Sequence, residues 1–313
     1  MKKFLIVIFI LIIGGGVYYL FSNVDTEETK CAEGFRFVPS TQTCESIQVQ
    51  KEKSIDFSKI SVLIPDTQTK IELDQVGSTT KYTGKLEDQK KASSVQFISL
   101  DSKDTIKYSQ ELVIVPFTFE SGGTGSFAYI GLFNVNTNTF VSSGYVGDRI
   151  EITSLSVANE KIKINFKTRL DSESFAEKPS VPAQIVFEVL NNKMIEIMKL
   201  QNANYGDVEI KSSLPVSVEG EFDLKGAVPG SWYFEGITQF KILDKSFNEI
   251  ALGSIPALSD WMTTQRVPFI LKLSSESLNY NGKATLIIQS ENVQGDIEGE
   301  RLVKKMFIPV NFK

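Results

Sequence analysis

From about residue 55 to the C-terminus, apolar residues recur at every second position in short runs. Outside the first 25 residues they never hold a helical period for twelve residues or more. Ile60–Ile64, Glu111–Phe119, Phe127–Phe133, Ile150–Val157, Ile162–Phe166 and Ala183–Leu190 are such runs, separated by Gly, Asn, Asp and Ser clusters. Successive side chains of a strand point to opposite faces, so period-two apolarity with turn residues between the runs predicts antiparallel sheet. One short helix is expected near Ser172–Lys178. The last hundred residues carry the same pattern in cleaner form. Val267, Phe269, Leu271 and Leu273 make one apolar face, Ala284, Leu286 and Ile288 a second, and Met306, Ile308, Val310 and Phe312 a third. Regular short strands over that length fit an immunoglobulin-like sandwich. No cysteine lies there, so its core must rest on apolar burial alone. The expected fold class is all-β, a β-rich module over 55–205 followed by the sandwich over 208–313.

The N-terminus obeys a different rule. Phe4–Phe21 holds no charge, with Lys2 and Lys3 before it and Asp25, Glu27 and Glu28 after it. As a helix at 1.5 Å per residue it reaches about 27 Å, close to a hydrocarbon core of about 30 Å. The lysines place the N-terminus in the cytoplasm and everything after Ser22 outside. A cleaved secretory signal is the competing reading, with Gly14 and Gly16 as the small residues. The product would then begin with Val17-Tyr18-Tyr19-Leu20-Phe21, an apolar tail in water, and no Ala-x-Ala occurs near the end of the run. Residues 1–25 are therefore read as one transmembrane helix, a signal anchor, and the bulk of the chain as extracytoplasmic.

Residues 26–54 read as a hairpin and linker. The only two cysteines, Cys31 and Cys44, bracket Phe35 and Phe37 in alternation and a Pro39–Gln42 turn. Outside the cytoplasm such a pair predicts a disulfide. Closing so short a loop is worth about 3 kcal/mol. A redox role would call for Cys-x-x-Cys spacing, which is absent.

Composition narrows the chemistry. The 313 residues contain no histidine, which removes His triads, imidazole shuttles and His-ligated zinc. Two cysteines are too few for a Cys-only zinc or iron–sulfur site. A formal net charge of -5 argues against a nucleic-acid partner. Gly122-Gly123-Thr124-Gly125 has the look of a phosphate loop, but a strand-like run follows it where a helix is required, so a hairpin turn is expected. Ser78-Thr79-Thr80-Lys81 matches Ser-x-x-Lys without the partner motifs that chemistry needs. Gly147-Asp148-Arg149 reads as a turn with a surface ion pair. Glu291, Asp296, Glu298 and Glu300 lie close in sequence and offer oxygen ligands for Ca²⁺, but without EF-hand spacing they read as a solvated loop. No cofactor is expected.

Gly122–Tyr129, followed downstream by Gly147-Asp148-Arg149-Ile150, resembles an uncharacterised module of bacterial secreted proteins, a resemblance that implies no activity. In the C-terminal region three blocks stand out: Val218-Glu219-Gly220; Gly226 and Gly230-Ser231-Trp232-Tyr233-Phe234-Glu235-Gly236; and Phe240-Lys241-Ile242-Leu243-Asp244. With Asp260-Trp261-Met262-Thr263-Thr264 and the closing Phe307–Phe312, they are similar to the immunoglobulin-like domain of bacterial spore germination proteins, the Gmad2 family. Members often carry an Asn-Pro-Ser-Gly turn where this chain has Asn292-Val293-Gln294-Gly295. The resemblance implies an extracytoplasmic, non-enzymatic module.

Trp232, Tyr233 and Trp261 are the candidate ligand contacts. They read as packed core aromatics or, with exposed ring faces, as a stacking platform for glycan or peptide. No catalytic residue is assigned. The expected function is a membrane-anchored envelope protein that binds or scaffolds, with a cell-wall polymer or another envelope protein as partner. A carbohydrate or wall hydrolase using paired carboxylates is the alternative, and a mechanical spacer the second alternative.

Overall fold

A computed structural model describes residues 55–64, 69–87, 95–170 and 172–313, together with four short strands nearer the N-terminus. Those four belong to a separate unit, Met1–Glu52. β1 (Ile12–Ile13) pairs with β2 (Gly16–Val17), and β3 (Phe35–Val38) pairs with β4 (Thr43–Ser46), placing Phe37 opposite Cys44. The antiparallel strand pair expected of that hairpin is present as β3 and β4. Cys31, and with it the disulfide, lies outside the described residues, as do the linker and the apolar span apart from β1 and β2. Among the described residues no helix is long and apolar enough to cross a membrane.

The second unit, Lys53–Lys313, opens with a hairpin of β5 (Ser61–Ile64) and β6 (Thr69–Glu72). A first sheet follows, made of β7 (Asp74–Gln75), β8 (Lys81–Glu87), β9 (Val95–Asp101), β10 (Ile106–Lys107), β11 (Leu112–Glu120), β12 (Phe127–Asn134) and β13 (Thr139–Asp148). Its order is β13-β12-β11-β9-β8-β7, with β10 beside β11. β12 is apolar along its length because both of its faces are covered. Tyr129 and Phe133 join Phe117 and Phe119 in a core that includes β5 and β6, while Ala128, Ile130 and Leu132 face a second sheet.

The second sheet starts with β14 (Glu151–Ala158), β15 (Lys161–Thr168), β16 (Val181–Leu190) and β17 (Lys193–Gln201). Its β14–β15 and β16–β17 turns are Asn159-Glu160 and Asn191-Asn192, all four residues at positive φ, as two-residue hairpins of right-handed twist require. Beyond β18 (Glu209–Ile210), β19 (Val216–Val218) and β20 (Glu221–Pro229), the chain forms β21 (Ile237–Asp244), β22 (Glu249–Pro256) and β23 (Arg266–Ser274). It ends with α1 (Ser275–Leu278), β24 (Gly282–Gln289), α2 (Ile297–Leu302) and β25 (Lys305–Phe312). β18-β20-β23 make a small third sheet. It closes a sandwich over the inward residues of the second sheet, including Leu286, Ile288, Ile308 and Phe312. All three apolar faces expected in the C-terminal sequence are in this core. Among the described residues 58% are strand and 7% helical, an all-β fold.

One sheet runs through both regions. Its order is β14-β15-β16-β17-β25-β24-β21-β22, with β19 parallel beside β25. The join is β17 to β25, through Lys199↔Phe307, Leu200↔Met306 and Gln201↔Lys305. Side chains strengthen it. Asn202 donates to the carbonyls of Arg301 and Val303 at 2.7 and 2.9 Å, and the Arg301 guanidinium pairs with Glu173 and donates to Ser180 at 2.7 Å. The segment expected as a helix near Ser172–Lys178 is a run of turns held by this contact, not a helix.

Candidate functional site

The two aromatic blocks of the C-terminal region meet. A short 3₁₀ turn, Gly230–Trp232, leads into the Phe234–Ile237 turn, and the segment 257–265 folds over both. The Gly230 amide donates to Gln265, the Ala257 amide to Gly236, and the Trp261 indole edge lies against Gly236. The platform reading does not hold for two of the three aromatics. Trp232 is 1% exposed and Tyr233 5%, so neither presents a ring face to a ligand. They are core residues because their large apolar surfaces fill the space between the two sheets of the sandwich. Trp261 is half-buried against that core. The exposed apolar side chains nearby are Phe234, Leu258 and Met262, none of them among the candidate ligand contacts read from the sequence.

The Tyr233 hydroxyl donates to the Val267 carbonyl at 3.4 Å, and burial pushes the phenol up to about 12. An unfolded phenol ionises near about 10. The unfolded chain therefore loses this proton first. The contribution is complete below about pH 10 and declines as pH rises toward 12. Ultraviolet titration is expected to show one tyrosine ionising well after the exposed ones and missing in Tyr233→Phe. A late tyrosine that survives this substitution would refute the assignment.

The glycine loop and the Gly-Asp-Arg turn also meet. The loop joins β11 to β12, as a hairpin should. Asp148 accepts from the Ser126 amide at 3.0 Å, and Arg149 donates to the Thr124 carbonyl and hydroxyl at 2.8 and 3.0 Å. The Arg149 guanidinium also stacks 4.3 Å from the Phe175 ring centroid. The two motifs of the weaker resemblance are therefore one clamp. Asp148 and Arg149 do form the expected ion pair, at 3.3 Å, but their main work is to fix the loop.

A cleft of about 630 Å³ opens where the second sheet ends over the first. Its floor is the uncovered part of β9 and β11, with Ser99 and Thr118, and its rim is the 3₁₀ turn Ser102–Asp104. Four consecutive β14 residues, Ile152–Leu155, line the wall. β14 is the edge strand of the second sheet and its register shifts at Thr153, so the cleft meets it edge-on. Asp101 and Asp104 are the carboxylates there. The Thr80 hydroxyl, then Lys103, hold the Asp101 carboxyl at about 2. Lys103 pairs with it at 3.0 Å through its ammonium and donates to it at 3.2 Å through its amide. A carboxylate ionised to such low pH carries no proton to donate near neutrality, which makes Asp101 unsuited to the acid role in two-carboxylate hydrolysis.

The acidic stretch near residue 296 is a helix start. Asp296 caps α2, accepting from the Gly299 amide at 2.7 Å, and Glu298 and Glu300 sit in the first turn, where the helix dipole favours negative charge. Among the described residues no group of three or more acidic or cysteine side chains is placed to hold a metal. No protein-family model and no curated protein matches this chain.

Proposed function

We propose that the chain is a single-pass, membrane-anchored, extracytoplasmic bacterial envelope protein whose β body binds or scaffolds a wall polymer or another envelope protein. The observation that carries this reading is the shared sheet. The β17–β25 ladder makes the two β regions one body, so surfaces on either are held at fixed separation, as a scaffold needs. The leading apolar span with its flanking charges supports the anchor, and the C-terminal resemblance supports an immunoglobulin-like, Gmad2-type module. Asp101, fixed as an ionised partner of Lys103, lacks the proton that a general acid at the cleft would need.

Carbonate extraction of membranes followed by crosslinking in cells tests this reading. The chain is expected in the membrane pellet, and its crosslinked complexes should contain an envelope protein or wall polymer. A chain released by carbonate, or one that enriches no envelope component, would overturn it.

A further inference from the structure

The turn between α1 and β24 carries two asparagines, Asn279 and Asn281, with different chemical prospects. Asn-Gly occurs in the chain only at Asn281-Gly282. Gly282 takes a φ of 129°, a backbone that L side chains rarely adopt, so the turn itself calls for glycine there. The Tyr280 hydroxyl closes the turn by donating to the Lys283 carbonyl at 2.8 Å, and the Tyr280 ring packs edge-on against Phe312. Asn281 is left exposed in its middle.

Many of the chain's other asparagine amides are held. Asn165 donates to Ser154, Asn202 to the carbonyls of Arg301 and Val303, Asn248 to Asp244, and Asn292 to the Asp296 carbonyl. The Asn281 carboxamide has no hydrogen-bond partner among the described residues, so it is free to turn toward the main chain. Asn279 is equally exposed and equally unheld. The nitrogen that follows it, however, belongs to Tyr280, which shields it with a bulky side chain and commits it to the Ser275 carbonyl. The nitrogen that follows Asn281 belongs to Gly282, which has no side chain. Gly282 is the first residue of β24, opposite Phe312 at the end of the ladder. Ladder ends fray, so this nitrogen is released without unfolding the strand.

We propose that Asn281 is a site of spontaneous deamidation in the folded chain. Hydroxide takes the Gly282 amide proton, and the nitrogen attacks the side-chain carbonyl carbon of Asn281. A carbon–nitrogen bond forms, ammonia leaves, and a five-membered succinimide closes. Water then opens the ring at either carbonyl, giving aspartate or isoaspartate. Water is consumed, ammonia is released, and nothing is oxidised or reduced. Asparagine is among the thermolabile side chains, and the fold here selects which copy reacts. Isoaspartate adds a carbon to the main chain immediately before β24, whose Ala284, Leu286 and Ile288 enter the sandwich core. The Gly282–Phe312 and Lys283–Asn311 rungs are then set out of step. Aspartate keeps the main chain and adds only a negative charge near Lys283. The inference does not depend on the binding reading above.

The test incubates the full chain in mild detergent at mildly acidic and mildly alkaline pH, then digests it with trypsin. Cleavage after Lys272 and Lys283 gives one peptide, Leu273–Lys283, that carries both asparagines, so Asn279 is the internal control. The acid is expected at Asn281 severalfold faster than at Asn279, and faster at alkaline pH. Isoaspartate, read by enzymatic methylation of its carboxylate, should be among the products, and Asn281→Gln should abolish them. Amide hydrogen exchange at Gly282–Ala284 should be severalfold faster in the isoaspartate fraction, while Asn281→Asp exchanges like the parent. The synthetic peptide Leu273–Lys283, incubated alongside, shows that the conditions suffice. Equal conversion of Asn279 and Asn281, or an unchanged Asn281 while the free peptide converts, would overturn the proposal. Unchanged exchange in the isoaspartate fraction would overturn its effect on β24.

Discussion

Trp232→Ala is expected to destabilise the β body by about 3–5 kcal/mol, the range for deleting a large aromatic from a closed core. Trp232 is 1% exposed and heads the largest fully buried side chains. The core it belongs to draws on both layers of the sandwich, with Val228, Val267 and Phe269 from the small sheet and Ile242, Leu286 and Ile308 from the long one. The backbone around it is held by the Gly230 and Tyr233 amide bonds, so collapse into the vacated space is restricted and a cavity term adds to the lost transfer free energy. Urea denaturation of the detergent-solubilised full chain, followed by far-ultraviolet circular dichroism, measures the effect. Leu252→Ala, at an exposed site, should stay within about 0.5 kcal/mol. A loss below about 1 kcal/mol for Trp232→Ala would mean that the indole does not bridge the two layers.

Legibility in the sequence followed the physics of each signal. The face Val267–Leu273 was readable because its strand is covered on one side only, which leaves a clean alternation; Met306–Phe312 alternates likewise, and Ala284–Ile288 less cleanly, because Ile287 on its other face is buried too. β13 was not readable. Thr139–Asp148 is rich in Ser, Gly and Thr, and it pairs through a bulged register with β12 that breaks the period. α2 escaped because six residues are too few for a helical period, although Asp296 followed by Glu298 and Glu300 is a start signal. In sequence these three, with Glu291, read as a solvated loop or a Ca²⁺ site. The β17–β25 join had no local signal at all, since it links residues about a hundred positions apart.

The site was legible as pieces and not as an arrangement. The Gly-rich loop and Gly147-Asp148-Arg149 stood out as separate motifs, and only folding shows Arg149 closing on Thr124. Aromatic content singled out Trp232 and Tyr233, but ring size says nothing about which side of a sheet a residue takes. The placing of three lysines on one side of the long sheet was invisible for a related reason. Lys241, Lys283 and Lys305 are far apart in sequence, and the register of two antiparallel ladders gathers them on one face. Acidic residues outnumber basic ones 38 to 33, so composition points away from any such basic surface.

Gly230→Ala tests the junction of the two aromatic blocks and should cost about 3 kcal/mol, at the upper end for overpacking. A Cβ at residue 230 would stand 2.2 Å from the carbonyl oxygens of both Trp261 and Thr263. Both are backbone atoms, so no side-chain rotation relieves the contact, and the segment 257–265 must move as a whole. Moving it strains the Gly230–Gln265 and Ala257–Gly236 bonds and shifts Trp261 from its place against Gly236. The effect should therefore appear in Trp261 fluorescence as well as in the urea midpoint. Gly206→Ala is the control, because nothing lies within 4 Å of a Cβ there, and it should stay within about 0.5 kcal/mol. Equal stability for the two variants would show that the Trp-Tyr-Phe-Glu and Asp-Trp-Met-Thr-Thr blocks do not pack backbone to backbone. The close approach at Gly230, the feature that gives a glycine at that position its physical reason, would then be lost.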